Sequence, residues 1–210
     1  MEREILLPAP PNLVRELRVG DLLYLTGRIF TARDAAHRLL LDLSAKGEKI
    51  PFDPAQMALF HCGPLVKKKA GGWRVIAAGP TTSMRMEPFE AHFISLFETK
   101  IIIGKGGMGQ ATQAALKREG AVYTHYTGGA GALAAEAIDR VTGVFWLEEL
   151  GVPEAVWIFS VNRFGPLLVT MDSTGGNLYS ELSVRIADRR RAIEAQIEKE
   201  IERFNDLVIE

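Results

Sequence analysis

The chain is poor in the groups that most directly reveal a protein's chemistry. It has one cysteine, Cys62, in 210 residues, which excludes an internal disulfide framework. A single thiol also excludes an iron–sulfur cluster held by this chain alone, because such clusters draw on several cysteine ligands. The four histidines, His37, His61, His92 and His125, show no HExxH or other paired spacing, so no zinc motif is legible. The formal net charge of −1 gives no general pull towards nucleic acid or an anionic membrane. No apolar run approaches the ~20 residues that span a bilayer. The opening MEREILLPAPPNL mixes acidic and basic residues and is rich in proline, unlike a signal peptide. We therefore expect a cytoplasmic protein that binds neither nucleic acid nor membrane and carries no metal of its own.

A hydrophobic fraction of 47% over this length is enough for one or two domains with a real core. Residues 1–12 read as an extended arm, since Pro8, Pro10 and Pro11 oppose helix. LRVGDLLYLTGRIF at 17–30 reads as two strands, or one bent strand, around Gly20-Asp21 and Gly27. Thr31 is the expected N-cap of a helix running to about Ser44, with Asp34 as its carboxylate partner. Strands are expected at 57–61, 73–78, 100–103 and 121–126, and helices at 88–98, 110–119 and 132–140. Lys67-Lys68-Lys69 with Gly71-Gly72 reads as an exposed loop. Further strands are expected at 144–148, 155–161 and 166–172, followed by a turn at 172–177. A strand-rich start and an alternating middle predict a layered α/β domain.

Two segments stand out for chemistry. GPTTSMR at 79–85 places three hydroxyls and a guanidinium directly after a Gly-Pro pair, where a strand delivers the chain into a loop. IIIGKGGMG at 101–109 places Lys105 in a glycine cluster after a short apolar run. Cations and backbone N–H donors in such loops suit a small anion, most simply a carboxylate. Each residue alone has a plainer reading: hydroxyls that cap a loop, a surface arginine, a solvated lysine, glycines that serve a turn. GKGGMG is not a nucleotide-binding P-loop, because Gly106 follows Lys105 where Ser or Thr is needed. Gly129, Gly131 and Ala134 fit a relaxed dinucleotide pattern, with Glu148 downstream, but a glycine turn starting a helix is the simpler reading. His37 reads as a hydrogen-bonded structural histidine.

Taken together, the motifs resemble one family. TARDAAH (31–37), IPFD (50–53), GP (63–64), GPTTSMRM (79–86), IIGKGGM (102–108), GAVY (120–123) before YTGGAGAL (126–133), and GNLY (176–179) occur in that order. This series is similar to the β-subunit of the two-subunit class I fumarases and L-tartrate dehydratases, the iron–sulfur hydro-lyases. Relatives with one chain carry the same unit as their C-terminal domain. The resemblance covers roughly residues 12–180. The residues around Cys62 and the chain from about 184 depart from it.

The resemblance implies a swivelling β/β/α domain over 1–183, with 184–210 as an added helical extension. It implies that a 4Fe-4S cluster sits on a separate, cluster-binding α-subunit, and that the two chains form an α2β2 assembly. Thr81, the threonine after Gly-Pro, would be the catalytic base, and Arg33, Arg85 and Lys105 would bind the substrate carboxylates. A neutral threonine hydroxyl is a very weak base, so it would act as an alkoxide stabilised by Arg33 or Arg85. Arginine suits a carboxylate because its planar fork pairs with both oxygens. The expected activity is fumarate hydratase, reversible between fumarate and L-malate. The alternatives are L-tartrate dehydratase and a non-catalytic carboxylate-binding module. The four residues are expected to converge on one concave face.

The C-terminal segment follows a different pattern. Ile186, Ile193, Ile197, Ile201 and Phe204 recur at helical spacing among many charges, which makes an amphipathic helix. We expect its apolar stripe to pack back on this chain's own domain, with a partner chain as the alternative.

Overall fold

Side chains that follow one another along a strand point to opposite faces, and Ile101, Ile102 and Ile103 show what that does here. Ile101 and Ile103 join one buried cluster, and Ile102 joins another. The same split separates Ile29 from Phe30 and Phe60 from Leu59. Strands that are apolar on both faces must be covered on both, and this sheet is.

The computed structural model describes residues 1–208, with the side chains of 202, 203 and 205–208 outside the description. The chain divides into two units, Met1–Gly176 and the segment from Asn177 onward. The first begins with β1 (Glu2–Leu6), α1 (Pro11–Glu16), β2 (Leu22–Thr31) and α2 (Asp34–Ala45). It continues with β3 (Ala58–Phe60), β4 (Leu65–Lys69), β5 (Gly72–Ala77) and α3 (Glu87–Phe97). Next come β6 (Ile101–Gly104), α4 (Gln110–Glu119), β7 (Val122–His125) and α5 (Gly131–Glu136). It closes with β8 (Ile138–Phe145), α6 (Leu147–Leu150) and β9 (Val156–Met171). The second unit is one long helix, α7 (Leu178–Val208).

Seven strands form one sheet in the order β1-β2-β3-β6-β7-β9-β8. The first five are parallel to their neighbours, and β9 is antiparallel to β7 and β8. β9 also pairs antiparallel with β2, so β2, β3, β6, β7 and β9 close into a ring. Helices α2, α3 and α4 cover one core, through residues such as Leu40, Phe93 and Leu116. Val14 of α1, Ala134 of α5 and Val75 of the β4–β5 hairpin contribute to the other. The architecture is mixed α/β, as expected.

Several local expectations are corrected by tertiary pairing. Thr31 does not cap α2. It ends β2, and its hydroxyl donates to the Ala155 carbonyl and accepts from the Trp157 N–H, so strand pairing has claimed it. The cap position is Arg33, without a side-chain cap bond. The helix expected at 132–140 stops at Glu136, and Ile138–Phe145 pairs with β9 instead. Lys67-Lys68-Lys69 is not a loop but the exposed arm of a hairpin with β5. The two strands expected around Gly165 are one, β9, because β2 pairs with it on both sides of Gly165, across an irregular stretch in the ladder. The proline-rich start holds a strand, β1, paired with β2, and Pro11 opens α1 at the first helical position, where its missing N–H does no harm.

The stripe of the C-terminal helix has its side chains at the surface. Ile186, Ile193, Ile197, Ile201 and Phe204 are all exposed. Asn177 caps this helix, its side-chain oxygen accepting the N–H groups of Tyr179 and Ser180.

Ile102 is fully buried while Leu65 is 60% exposed. Ile102→Ala is expected to lower unfolding stability by about 2–5 kcal/mol, and Leu65→Ala by less than about 0.5 kcal/mol. Urea unfolding followed by tryptophan fluorescence measures both.

Candidate active site

Parallel strands deliver their chain ends to one edge. β2 ends at Thr31, β3 at Phe60, β6 at Gly104 and β7 at His125, all adjacent in the sheet. The residues that follow, Arg33, His61 to Gly63, and Lys105, therefore lie along the carboxyl edge, where ligands of parallel α/β sheets commonly bind. The loop at 79–86 comes from the β4–β5 hairpin and reaches the same edge. Pro80 forms a bridge with Cys62, and Thr82 one with Lys105. The Thr81 N–H donates to the His61 carbonyl at 2.7 Å, and the Ser83 N–H to the Lys105 carbonyl at 3.4 Å. The loop is thus wedged between the ends of β3 and β6. Gly104 is required there, because a Cβ on it would overlap the Ser83 hydroxyl and the Tyr123 ring.

The cations around this wedge differ in how they are held. Arg33 Nε lies 3.0 Å from Glu154 Oε1, while the other oxygen of Glu154 accepts the Ala35 N–H. That carboxylate sits at the start of α2, where the helix dipole favours it. Gly63 leaves room for the arginine, since a Cβ would come within 2.9 Å of Arg33 Nη1. Arg85 Nη2 donates to Asp34 Oδ2 at 2.6 Å and remains half exposed. Burial pushes the Asp34 carboxyl up, but its own backbone N–H and the Arg85 and Arg33 guanidinium groups hold it below the usual carboxylate range. Lys105 is half-buried. Among the described residues, the Lys105 ammonium, the terminal nitrogens of Arg33 and the Thr81 hydroxyl have no hydrogen-bond or ion-pair partner.

Beneath the edge runs a buried polar relay. Ser83 Oγ accepts from the Lys105 N–H at 3.2 Å and from the Tyr123 hydroxyl at 2.8 Å. Its own hydrogen is then free for His61 Nδ1, 3.0 Å away. That fixes the tautomer of His61, whose Nε2–H donates to Glu90 Oε2 at 3.0 Å. The same oxygen, Glu90 Oε2, lies 3.2 Å from His37 Nε2, and His37 Nδ1–H donates to the Arg33 carbonyl at 2.8 Å. His37, His61, Ser83 and Glu90 are each fully buried. Burial raises the Glu90 carboxyl, but His61 and His37 outweigh it and hold it down at about 2. Burial lowers His61, and Glu90 only partly offsets this. One carboxylate thereby ties α3 to the start of α2, the end of β3 and the 79–86 loop.

His37, His61 and Glu90 form a group that could hold a metal ion, with ligand atoms within 4.8 Å of one another. The hydrogen bonds above already account for both nitrogens of His61. An iron–sulfur cluster does not fit this chain. Cys62, the one cysteine, is buried, and burial raises its thiol far above the range in which a thiolate ligand forms. The start of α4 is no anion site either, because Glu87 accepts from the Gly109 and Thr112 N–H groups and from the Thr112 hydroxyl. A cleft of about 640 Å3 lies elsewhere, between β5, α5 and β8, and none of the four expected site residues lines it.

The structure places Arg33, Thr81, Arg85 and Lys105 on this one edge through backbone bridges and ion pairs. The glycine loop at 128–131 braces it, the Gly131 carbonyl accepting the Ala78 N–H at 2.8 Å. Sequence reasoning missed Glu154, Asp34 as the partner of Arg85, and the relay through Glu90. The spacing between Ser83 and Glu90 is the only local signal, and it names no partner. His37 is hydrogen-bonded as expected.

Comparison with known proteins places this geometry in a family. Residues 4–182 match the family described as Fumarase C-terminus, and the chain belongs to it. It is 40% identical over 197 residues to the L(+)-tartrate dehydratase subunit beta of Escherichia coli K12, covering 94% of this chain and 96% of that one. A Methanocaldococcus jannaschii chain, provisionally named as the same subunit, is 43% identical over 84% of this chain and 90% of its own. A Geobacillus stearothermophilus chain, provisionally named a class I fumarate hydratase, is 44% identical over 86% of this chain but 34% of its own length.

The relay gives stability a direction with pH. His61 is held below its ordinary 6.5, so below that pH the unfolded chain takes up a proton that the folded one resists. Glu90 is held below its ordinary 4.5, so its contribution is present above 4.5 and lost as pH falls towards about 2. Unfolding stability is expected to decline as pH drops below 6.5 and more steeply below 4.5. Glu90→Gln is expected to shrink the lower part of that decline and to lower stability at pH 7 by about 1–3 kcal/mol. Denaturant titrations across this pH range check both.

Proposed function

We propose that this chain is the β-subunit of a two-subunit hydro-lyase acting on a 2-hydroxy dicarboxylate, with L-malate and fumarate as the expected pair. The observation that carries the reading is the edge itself. Segments that carry an unpartnered threonine hydroxyl and unpartnered lysine and arginine nitrogens end on one sheet edge, in a chain of the fumarase C-terminus family. Arg33, Arg85 and Lys105 take the carboxylates, the arginines through planar forks and the lysine as a point charge. Thr81 Oγ1, as an alkoxide stabilised by those cations, takes the proton from carbon in the dehydration direction and returns it in hydration. The hydroxyl on the neighbouring carbon leaves towards the partner. We assign the 4Fe-4S cluster, which would supply a Lewis acid there, to a cluster-binding α-subunit. An α2β2 assembly, a swivelling β/β/α domain and a cytoplasmic location belong to the same reading.

A second reading is L-tartrate dehydratase. It is favoured by the names of relatives that match this chain over nearly their whole length. The residues of the edge suit the dicarboxylate frame that malate and tartrate share, so the extra hydroxyl of tartrate would be recognised elsewhere.

Anaerobic co-expression with a cluster-bearing partner, followed by assays on malate, fumarate and L-tartrate, tests both readings. The purified chain alone is expected to bind no cluster iron and to turn over none of the three. In the assembled enzyme, Thr81→Val is expected to lower kcat on the order of 10²–10⁴-fold with little change in KM. Lys105→Met is expected chiefly to raise KM. A near-normal kcat for Thr81→Val would remove threonine from the role of base.

A further inference from the structure

Lys105 stands among Gly104, Gly106 and Gly107, which bring no side chain of their own to fix a turn. Gly106 has a φ of +71°, in the left-handed region, and a Cβ on it would meet nothing within 4 Å. Packing around Gly106 therefore does not hold the turn, and its anchors come from other elements. Two successive N–H groups are each taken by a side chain. The Lys105 N–H donates to Ser83 Oγ at 3.2 Å, and the Gly106 N–H donates to His125 Nδ1 at 3.2 Å. Both donors are thereby committed, so what this turn offers an anion is the Lys105 ammonium.

The hold comes from the carboxyl end of β7. His125 is the last residue of that strand and pairs with Gly104 of β6 in the parallel ladder. Tyr123, on the same strand, donates its hydroxyl to Ser83 Oγ at 2.8 Å. The Tyr126 N–H donates to the Gly104 carbonyl at 2.8 Å, which fixes the strand end against the start of the turn. The lysine stem passes close to Gly128, where an added Cβ would lie 3.6 Å from Lys105 Cδ. An imidazole that accepts at Nδ1 is neutral and carries its proton on Nε2. Burial favours that neutral form, holding His125 below its ordinary 6.5.

We propose that His125 is a positioning residue for Lys105, setting the affinity of the edge for a substrate carboxylate through the Gly106 N–H that it accepts. This role rests on the hydro-lyase reading for its ligand, a dicarboxylate. Lysine binds a carboxylate as a point charge on a flexible stem, so its contribution depends on where the stem starts. Without the imidazole acceptor the glycine-rich turn gains conformations that displace the ammonium. The carboxylate is then held less well in the ground state and the transition state alike, so KM rises while kcat stays nearly level.

Two polar variants separate this role from a purely structural one. His125→Asn keeps an acceptor, Oδ1, on the same Cγ that carries Nδ1. His125→Gln moves its acceptor one bond farther out. In the enzyme assembled with its cluster-bearing partner, His125→Gln is expected to raise KM for malate and fumarate on the order of tenfold, with kcat within about twofold. His125→Asn is expected to stay within about threefold of the unaltered KM. In the purified chain alone, hydrogen exchange at the Gly106 amide, read by NMR, is expected to quicken about tenfold or more in His125→Gln and little in His125→Asn. In an active enzyme, an unchanged KM for His125→Gln, equal KM values for the two variants, or a fall in kcat at constant KM overturns the proposal. Unaltered Gly106 exchange in His125→Gln overturns it as well. An unaltered assembly that turns over none of malate, fumarate and L-tartrate fails the hydro-lyase reading first, and the positioning role falls with it whatever the variants do.

Discussion

The buried carboxylate of Glu90 is the interaction on which the rest of this edge depends. It sits on α3, yet one of its oxygens, Oε2, faces rings from both α2 and the end of β3. Desolvating a carboxylate is unfavourable by several kcal/mol unless its partners are well placed, so the position of Glu90 demands both histidines. Each histidine passes the constraint outward through its other nitrogen. His37 fixes the Arg33 carbonyl, and His61 fixes Ser83, which in turn holds the Lys105 N–H. The backbone of three candidate binding segments is thereby tied to one buried charge.

Above this rigid floor the surface groups are less committed. Asp34 and Glu154 hold Arg85 and Arg33 by one nitrogen each, which orients the guanidinium groups and leaves donors over. Lys105 and Thr81 are held by their backbones alone. Carboxylates that position cations from behind, with the open side facing out, suit an anionic ligand better than a set of mutually satisfied ion pairs would. The same balance explains how a chain of net charge −1 presents a cationic edge.

Much of this was legible locally. The strand at 101–103, the helix from 110 to 119 and its glycine stop need only period and capping, and they appear where expected, Gly120 taking the left-handed conformation. The two loops that reach the edge were legible by composition, since hydroxyls, glycines and cations cluster there. What failed, failed where a distant strand decided. Thr31 has the side chain of a helix cap, but the strand at 156–171 is a stronger claimant for its hydroxyl. Residues 138–140 are compatible with a helix until β9 offers them a ladder of hydrogen bonds. The stripe of α7 was legible as apolar, but periodicity does not say which surface covers it.

The sequence by itself determined the element periods, the family through its ordered motifs, and the residue types able to bind a carboxylate. It also determined that one cysteine is too few to hold an iron–sulfur cluster by this chain alone, because ligand count is a property of composition. Only the tertiary structure decided which side chains meet. Glu90 and His37 are 53 residues apart, and Arg33 and Glu154 are 121 apart, so no local pattern links them. Their meeting is set by strand order and crossover connections, which depend on the free energy of burying whole faces at once. That quantity belongs to the assembled sheet and to no segment of the chain.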